Sequence, residues 1–160
     1  MVEVVERSEP IRLSGLEMHE AAVRLDGDAA WLGSGWLSYR HDATHDPGVR
    51  RVQLDNLPIE LRPVGTAFTV GAQGQTAVIA VTEGTVEVHE RDGRMLNRLA
   101  VGEELVLIPG DGENQVRTLP TTGLTIDQVQ RLIPDHCVCN PRDVLASVGR
   151  LRLSLKEVSP

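Results

Sequence analysis

The sequence predicts a mainly β protein, a body of stacked short strands in a solenoid or sandwich-like arrangement, with a small C-terminal helical tail. Three observations carry this. Over the first two thirds of the 160 residues, short apolar stretches alternate with turn-forming Gly, Pro, Asn and Asp. Hydrophobic residues make up 41% but aromatics only 2%, so the interior must be filled by Val, Leu, Ile and Ala, which suit packed strands better than an aromatic-lined pocket. After Leu119 the apolar residues switch to helical spacing. The expected division is therefore an all-β body over 1–119 and a helical tail over 120–160.

Taken in order, Val2–Glu6 reads as a short strand, and "AAVRLDGDAAWLGSGWLSYR" as strands broken at "DGD" and at "GSG". In "VRRVQLDNLPIELRP" the turn falls at "DNLP", with Pro58 and Pro63 limiting strand length. "TAVIAVT" is apolar on both faces and reads as a strand covered on two sides. "TEG" follows as a turn, and in the next strand Val86 and Val88 point inward while Glu87 and His89 face water. "VGEE" supplies another turn before a buried strand, Leu105–Ile108. The strands Val86–His89 and Leu105–Ile108 carry little positive charge and read as candidate edges open to a further strand. In the tail, Thr125 is an N-cap candidate, with Ile126, Val129 and Ile133 facing inward, Asp127 and Arg131 outward, and Pro134 as the stop. Asn140 and Pro141 open a second helix with Val144, Leu145 and Val148 on one face, and Gly149 weakens or ends it.

The net charge of −7 and the lack of any basic run argue against nucleic acid or an anionic membrane as partner. No stretch approaches the roughly 20 apolar residues of a membrane helix, and "MVEVVERSEPIRL" lacks the basic start of a signal peptide. Taken as written, the chain reads as cytoplasmic. "HDATHD" gathers His41, His45 and two Asp, and "HCVCN" gathers His136, Cys137 and Cys139. Imidazole, thiolate and carboxylate are metal ligands, but the first stretch reads as a solvated loop. The second lacks the second ligand pair of a zinc site. Ser34 sits in "LGSGW" without the pattern of a nucleophile elbow. "GAQGQ" and "GDGEN" precede strands rather than the helix N-terminus that a phosphate cradle needs. Glu83, Glu103 and Glu104 lie near turns and read as facing water, with no spacing that pairs an acid with a base. The expectation is a protein without catalytic residues, metal or other cofactor.

Three stretches, "VGTAFTV", "AVIAVTEGTVEV" and "RLAVGEELVL", fall in an order that resembles the FecR family of sigma-factor regulators. The resemblance rests on Gly65, Thr66, Phe68 and Val70, then Glu83, Gly84, Val86 and Val88, then Gly102 and Glu103, and it spans about Ala30 to Pro109. These are fold-forming positions: glycines where the chain turns tightly, and apolar residues that build the core. The resemblance implies a periplasmic or cell-envelope domain that takes a signal from an outer-membrane transporter and passes it to a sigma factor. It also implies protein partners, a transporter signalling domain or another regulator. A metal-free cupin-like barrel binding a small molecule is the alternative, from the cadence of "VTEGTVEVHERDGRMLNRLAVGEELVLIPGDGEN". There the paired His ligands are missing, and Asn114 stands where a His would be expected.

Overall fold

The computed structural model describes residues 2–4, 11–13, 16–40, 49–110, 115–119, 125–133 and 140–158. Ten strands form one continuous sheet: β1 (Val2–Val4), β2 (Ile11–Leu13), β3 (Leu16–Asp26), β4 (Ala29–Arg40), β5 (Arg51–Leu54), β6 (Ile59–Gln73), β7 (Thr76–Glu90), β8 (Met95–Leu99), β9 (Glu104–Pro109) and β10 (Val116–Leu119). Among the described residues two helices follow, α1 (Ile126–Leu132) and α2 (Pro141–Val158). The mainly β class with a C-terminal helix is as expected, but β3, β4, β6 and β7 are long, at 11 to 15 residues.

The length has a physical reason. β3, β4, β6 and β7 each change partners part-way along. Ala29–Leu32 of β4 pairs in parallel with β5, whereas Gly35–Arg40 pairs antiparallel with β6. β6 meets β5 at Glu60 and Leu61 and β4 from Ala67 onward. β7 carries β9 along Ala77–Ala80 and β8 along Val86–His89. The long strands thus run through two halves of the sheet, bent where the register shifts near Ala22, Ala67 and His89.

Several expected breaks become bends within strands for the same reason. "GSG" is the part of β4 where the partner changes from β5 to β6. "TEG" lies inside β7. Pro63 lies inside β6, between the end of β5 pairing and the start of β4 pairing, so on that side no strand calls for the N–H it lacks. The turns at Gly27, at "DNLP" (Asp55–Pro58) and at Val101–Gly102 fall where the sequence places them.

Between the halves lies one core. Leu37, Phe68, Val70, Ile79 and Leu107 from one half meet Val52, Leu54, Ile59, Leu61, Val86, Val88 and Leu99 from the other. Phe68 is 1% exposed, its ring 5.3 Å from that of Tyr39, whose hydroxyl donates to the Val49 carbonyl at 2.8 Å. The opposite face of the β7–β9 half carries Val78, Ala80, Val106, Ile108 and Leu119. The helices cover it with Val129, Val144 and Val148. Trp36 packs at the margin of this second cluster and lies against Gly71, where a Cβ would fall 2.3 Å from the ring.

Thr125 caps α1 in a capping box with Gln128, and the Asn140 side chain accepts from the Arg142 N–H at the start of α2. Ile126 does not face inward. It is 41% exposed, while Val129 is buried and Leu132 and Ile133 pack at the edge of the cluster. A seven-residue helix buries only one narrow stripe, and Ile126 lies at its solvent end. α2 runs through Gly149 to Val158, because a single glycine weakens a helix by about 1 kcal/mol and does not end it.

Candidate functional site

The motif stretches, far apart in sequence, converge where the sheet bends. Gly65 and Gly84 both adopt positive φ, 54° and 68°, and face each other across β6 and β7. A Cβ on Gly84 would lie 2.4 Å from the Gly65 carbonyl oxygen, so two backbones approach there as only glycine permits. Next along the ladder Phe68 pairs with Val81. The third stretch closes onto Val81: Gly102 N–H donates to the Val81 carbonyl at 2.9 Å, and Val81 N–H donates to the Glu103 carbonyl at 3.2 Å. The Glu103 carboxylate accepts from the Ala100 N–H at 3.0 Å and shapes the turn.

Phe68, Val70, Val86 and Val88 are all buried in the core. Glu83 is exposed and pairs loosely with Arg40 at 3.7 Å. The Thr66 side chain lies outside the described residues, as do His41, His45, His136, Cys137 and Cys139. Among the described residues, no three His, Cys, Asp or Glu side chains gather where they could hold a metal ion, and no helix is long and apolar enough to cross a membrane.

A polar face is the feature that sequence reasoning missed. Register places Arg24 opposite Trp31, Trp31 opposite Gln53, Gln53 opposite Glu60 and Glu60 opposite His89. Their neighbours Val52, Leu54, Leu61 and Val88 point into the core, so this row crosses five strands on the outer side of the sheet. Glu60 is its centre. At 6% exposure it accepts from Gln53 Nε2, from Arg51 Nη1 at 3.2 Å and from Arg62 Nε. Burial pushes the Glu60 carboxyl up, but the hydrogen bonds and charges of Arg62 and Arg51 outweigh it and hold it below the usual range. Arg51 also reaches Asp28 at 2.9 Å. At one end the guanidinium groups of Arg24 and Arg91 lie 4.9 and 5.1 Å from the Trp31 ring centre.

His89 was expected to face water. It is 7% exposed instead, because Glu60 flanks it and its Nε2 lies 2.9 Å from Glu87 Oε1. The hydrogen bond to His89 in turn holds the Glu87 carboxyl below its ordinary range. Val86–His89 and Leu105–Ile108 are not edges either. The first is flanked by β6 and β8, the second by β7 and β10. The signal for the polar face is present in the sequence as the alternation of Arg51, Gln53, Glu60, Arg62, Glu87 and His89 with apolar residues. Only the register shows that they form one row.

What this arrangement offers chemically is recognition. Glu60 is engaged by arginines and Glu87 by His89, and the groups that reach solvent are the guanidiniums of Arg51, Arg62 and Arg91 beside the half-buried Trp31 indole, types enriched in protein contact surfaces.

No family model matches the chain, and no curated protein matches it. Among solved structures, the fold is similar to a crystal structure from Parabacteroides distasonis that carries the provisional designation of anti-sigma factor. The TM-score is 0.51 at 18% identity, covering 75% of this chain and 60% of that one. A second crystal structure with the same designation and organism gives a TM-score of 0.48 at 18% identity, covering 74% and 59%. The chain therefore spans about 60% of the length of the first neighbour, and at this identity the likeness is one of fold.

Proposed function

We propose that this chain is a protein-binding regulatory domain of a sigma-factor control system, acting through contacts and not through catalysis. The observation that carries the reading is the convergence of the three FecR-like stretches at Gly65, Gly84, Val81 and Gly102, within a fold similar to that of a provisional anti-sigma factor. The outer polar face, with Trp31, Arg51, Arg62 and Arg91, is the surface proposed to meet the partner. A transporter signalling domain or another regulator is the partner that the family resemblance favours. In that role the domain belongs to the periplasm or cell envelope as part of an anchored regulator. The cupin-like alternative draws less support, because the space between the sheet halves is filled by Phe68, Leu37, Leu61, Ile79 and their neighbours.

A two-hybrid matrix tests the reading, with the chain set against each sigma factor and each transporter signalling domain of its source organism. At least one pairing is expected. Arg62→Gln, which keeps an N–H donor for Glu60, should weaken it while the isolated chain stays folded by circular dichroism. A matrix in which a known control pair scores and this chain pairs with none would overturn the proposal.

A further inference from the structure

Both ring nitrogens of His89 face oxygen acceptors. Nε2 lies 2.9 Å from Glu87 Oε1, and Nδ1 lies 3.4 Å from the Gly93 carbonyl oxygen. A neutral imidazole carries one N–H, so in either tautomer one nitrogen lone pair is set against an oxygen lone pair. Only the imidazolium donates to both. The Gly93 carbonyl belongs to the tight turn between β7 and β8, which is closed by Gly93 N–H to the Glu90 carbonyl at 2.9 Å and Glu90 N–H to the Arg94 carbonyl at 2.8 Å. Arg91 projects from that turn. Its backbone N–H donates to the Pro58 carbonyl at 2.9 Å, its guanidinium donates to the Leu54 and Leu57 carbonyls, and it lies over Trp31.

We propose that His89 is a proton-operated latch. Protonation of the ring ties the β7–β8 turn, and with it Arg91 and the Trp31 stack, to the sheet; deprotonation loosens them. The charged groups around the ring come from each neighbouring element. From β6, Glu60 stands directly opposite, its carboxylate held by Gln53, Arg51 and Arg62. On β7 itself are Glu87 and Glu90, the latter bound by Arg94. From β8, Met95 stands opposite the ring and Arg98 opposite Glu87. The turn adds Arg91 and Asp92, whose carboxylate accepts from the Arg94 N–H at 2.9 Å. Carboxylates and guanidiniums ordinarily keep their charge between about pH 5.5 and pH 8, whereas an imidazole changes its own there.

The test is amide hydrogen exchange on the folded chain, followed by NMR at about pH 5.5 and about pH 8 and corrected for the intrinsic pH dependence of exchange. The amides of Glu90, Arg91 and Gly93 should be protected about tenfold more strongly at the lower pH, as for one added charge-assisted hydrogen bond. The Trp31 indole N–H signal should move with the same midpoint as the C–H signals of the His89 ring. His89→Gln keeps one donor and should abolish the pH dependence. Equal protection at the two pH values would overturn the latch, as would a dependence that survives in His89→Gln. Should the variant fail to fold, the wild-type comparison decides alone: a turn midpoint that differs from the ring midpoint also overturns it.

Discussion

Phe68 and Gly84 belong to the same set of fold-forming positions, yet they were legible to different degrees. A single Phe in an alternating strand of a chain poor in aromatics has nowhere to go but the core, and it is 1% exposed. The role of Gly84 depends on its being paired with Gly65, which no local pattern shows. The two kinds of positive-φ glycine should differ on substitution. Gly74 has φ 58° with nothing within 4 Å of the place a Cβ would take, so Gly74→Ala should cost only the left-handed penalty, about 1 kcal/mol. Gly84→Ala must also push back the backbone of Val64 and Gly65, and should cost about 2 kcal/mol or more. Urea midpoints of the two variants check this; equal midpoints would mean that the close approach is absent. Glu60 was not singled out at all, because its donors come from β5 and β6 and meet only when the strands are in register. Its folded pKa is depressed, so its stabilisation is fully present above the unfolded glutamate value, about 4.3, and is lost as pH falls through the folded value. Arg51 and Arg62 are 44% and 47% exposed, which keeps the effect modest. In Glu60→Gln, thermal melts below about pH 4.5 should show a shallower loss of stability than in the wild type.

At the scale of elements, turn chemistry was legible and strand continuity was not. "DNLP" and "VGEE" turn as expected, while "GSG" and "TEG" bend strands that continue. Glycine marks a change of direction in both cases, and whether the chain reverses or only bends depends on which strands lie alongside. The helices were placed by their caps, Thr125 and Asn140, and by their apolar spacing. Their docking site was not visible, because "TAVIAVT" reads only as a strand covered on both faces. The structure names the two covers: the core on one side, and α1 with α2 on the other. Removing residues 120–160 would bare Val78, Ala80, Val106 and Ile108. That truncation should cost on the order of 5 kcal/mol and produce a protein that binds apolar dyes and self-associates. A truncated chain that stays monomeric with an unchanged melting temperature would show that the helices are an independent appendage.

For the whole molecule, four strands are common to both halves of the sheet, so neither half can lose its pairing without disturbing the other. Unfolding should be a single transition. Two tryptophans report on it separately. Trp31 lies on the outer face of the half that holds β5, and Trp36 lies against Gly71 beside the helices. Fluorescence midpoints of Trp36→Phe, which reads Trp31, and of Trp31→Phe, which reads Trp36, should each coincide with the circular-dichroism midpoint of the same variant. Separated midpoints within one variant would reveal two folding units. The long pairing of β6 with β7 also bears on the order of events in time. A tight turn at Gly74 and Gln75 joins them, so their ladder can close outward from Gln73 and Thr76 to Ile59 and Glu90, each step adding little chain entropy to the last. β5 reaches its parallel partner β4 only after a longer excursion of the chain, and such pairings form late. The hairpin is then the template on which β4, β8 and β9 assemble, and a ribosome that has released the chain through Glu90 has already delivered everything that template needs.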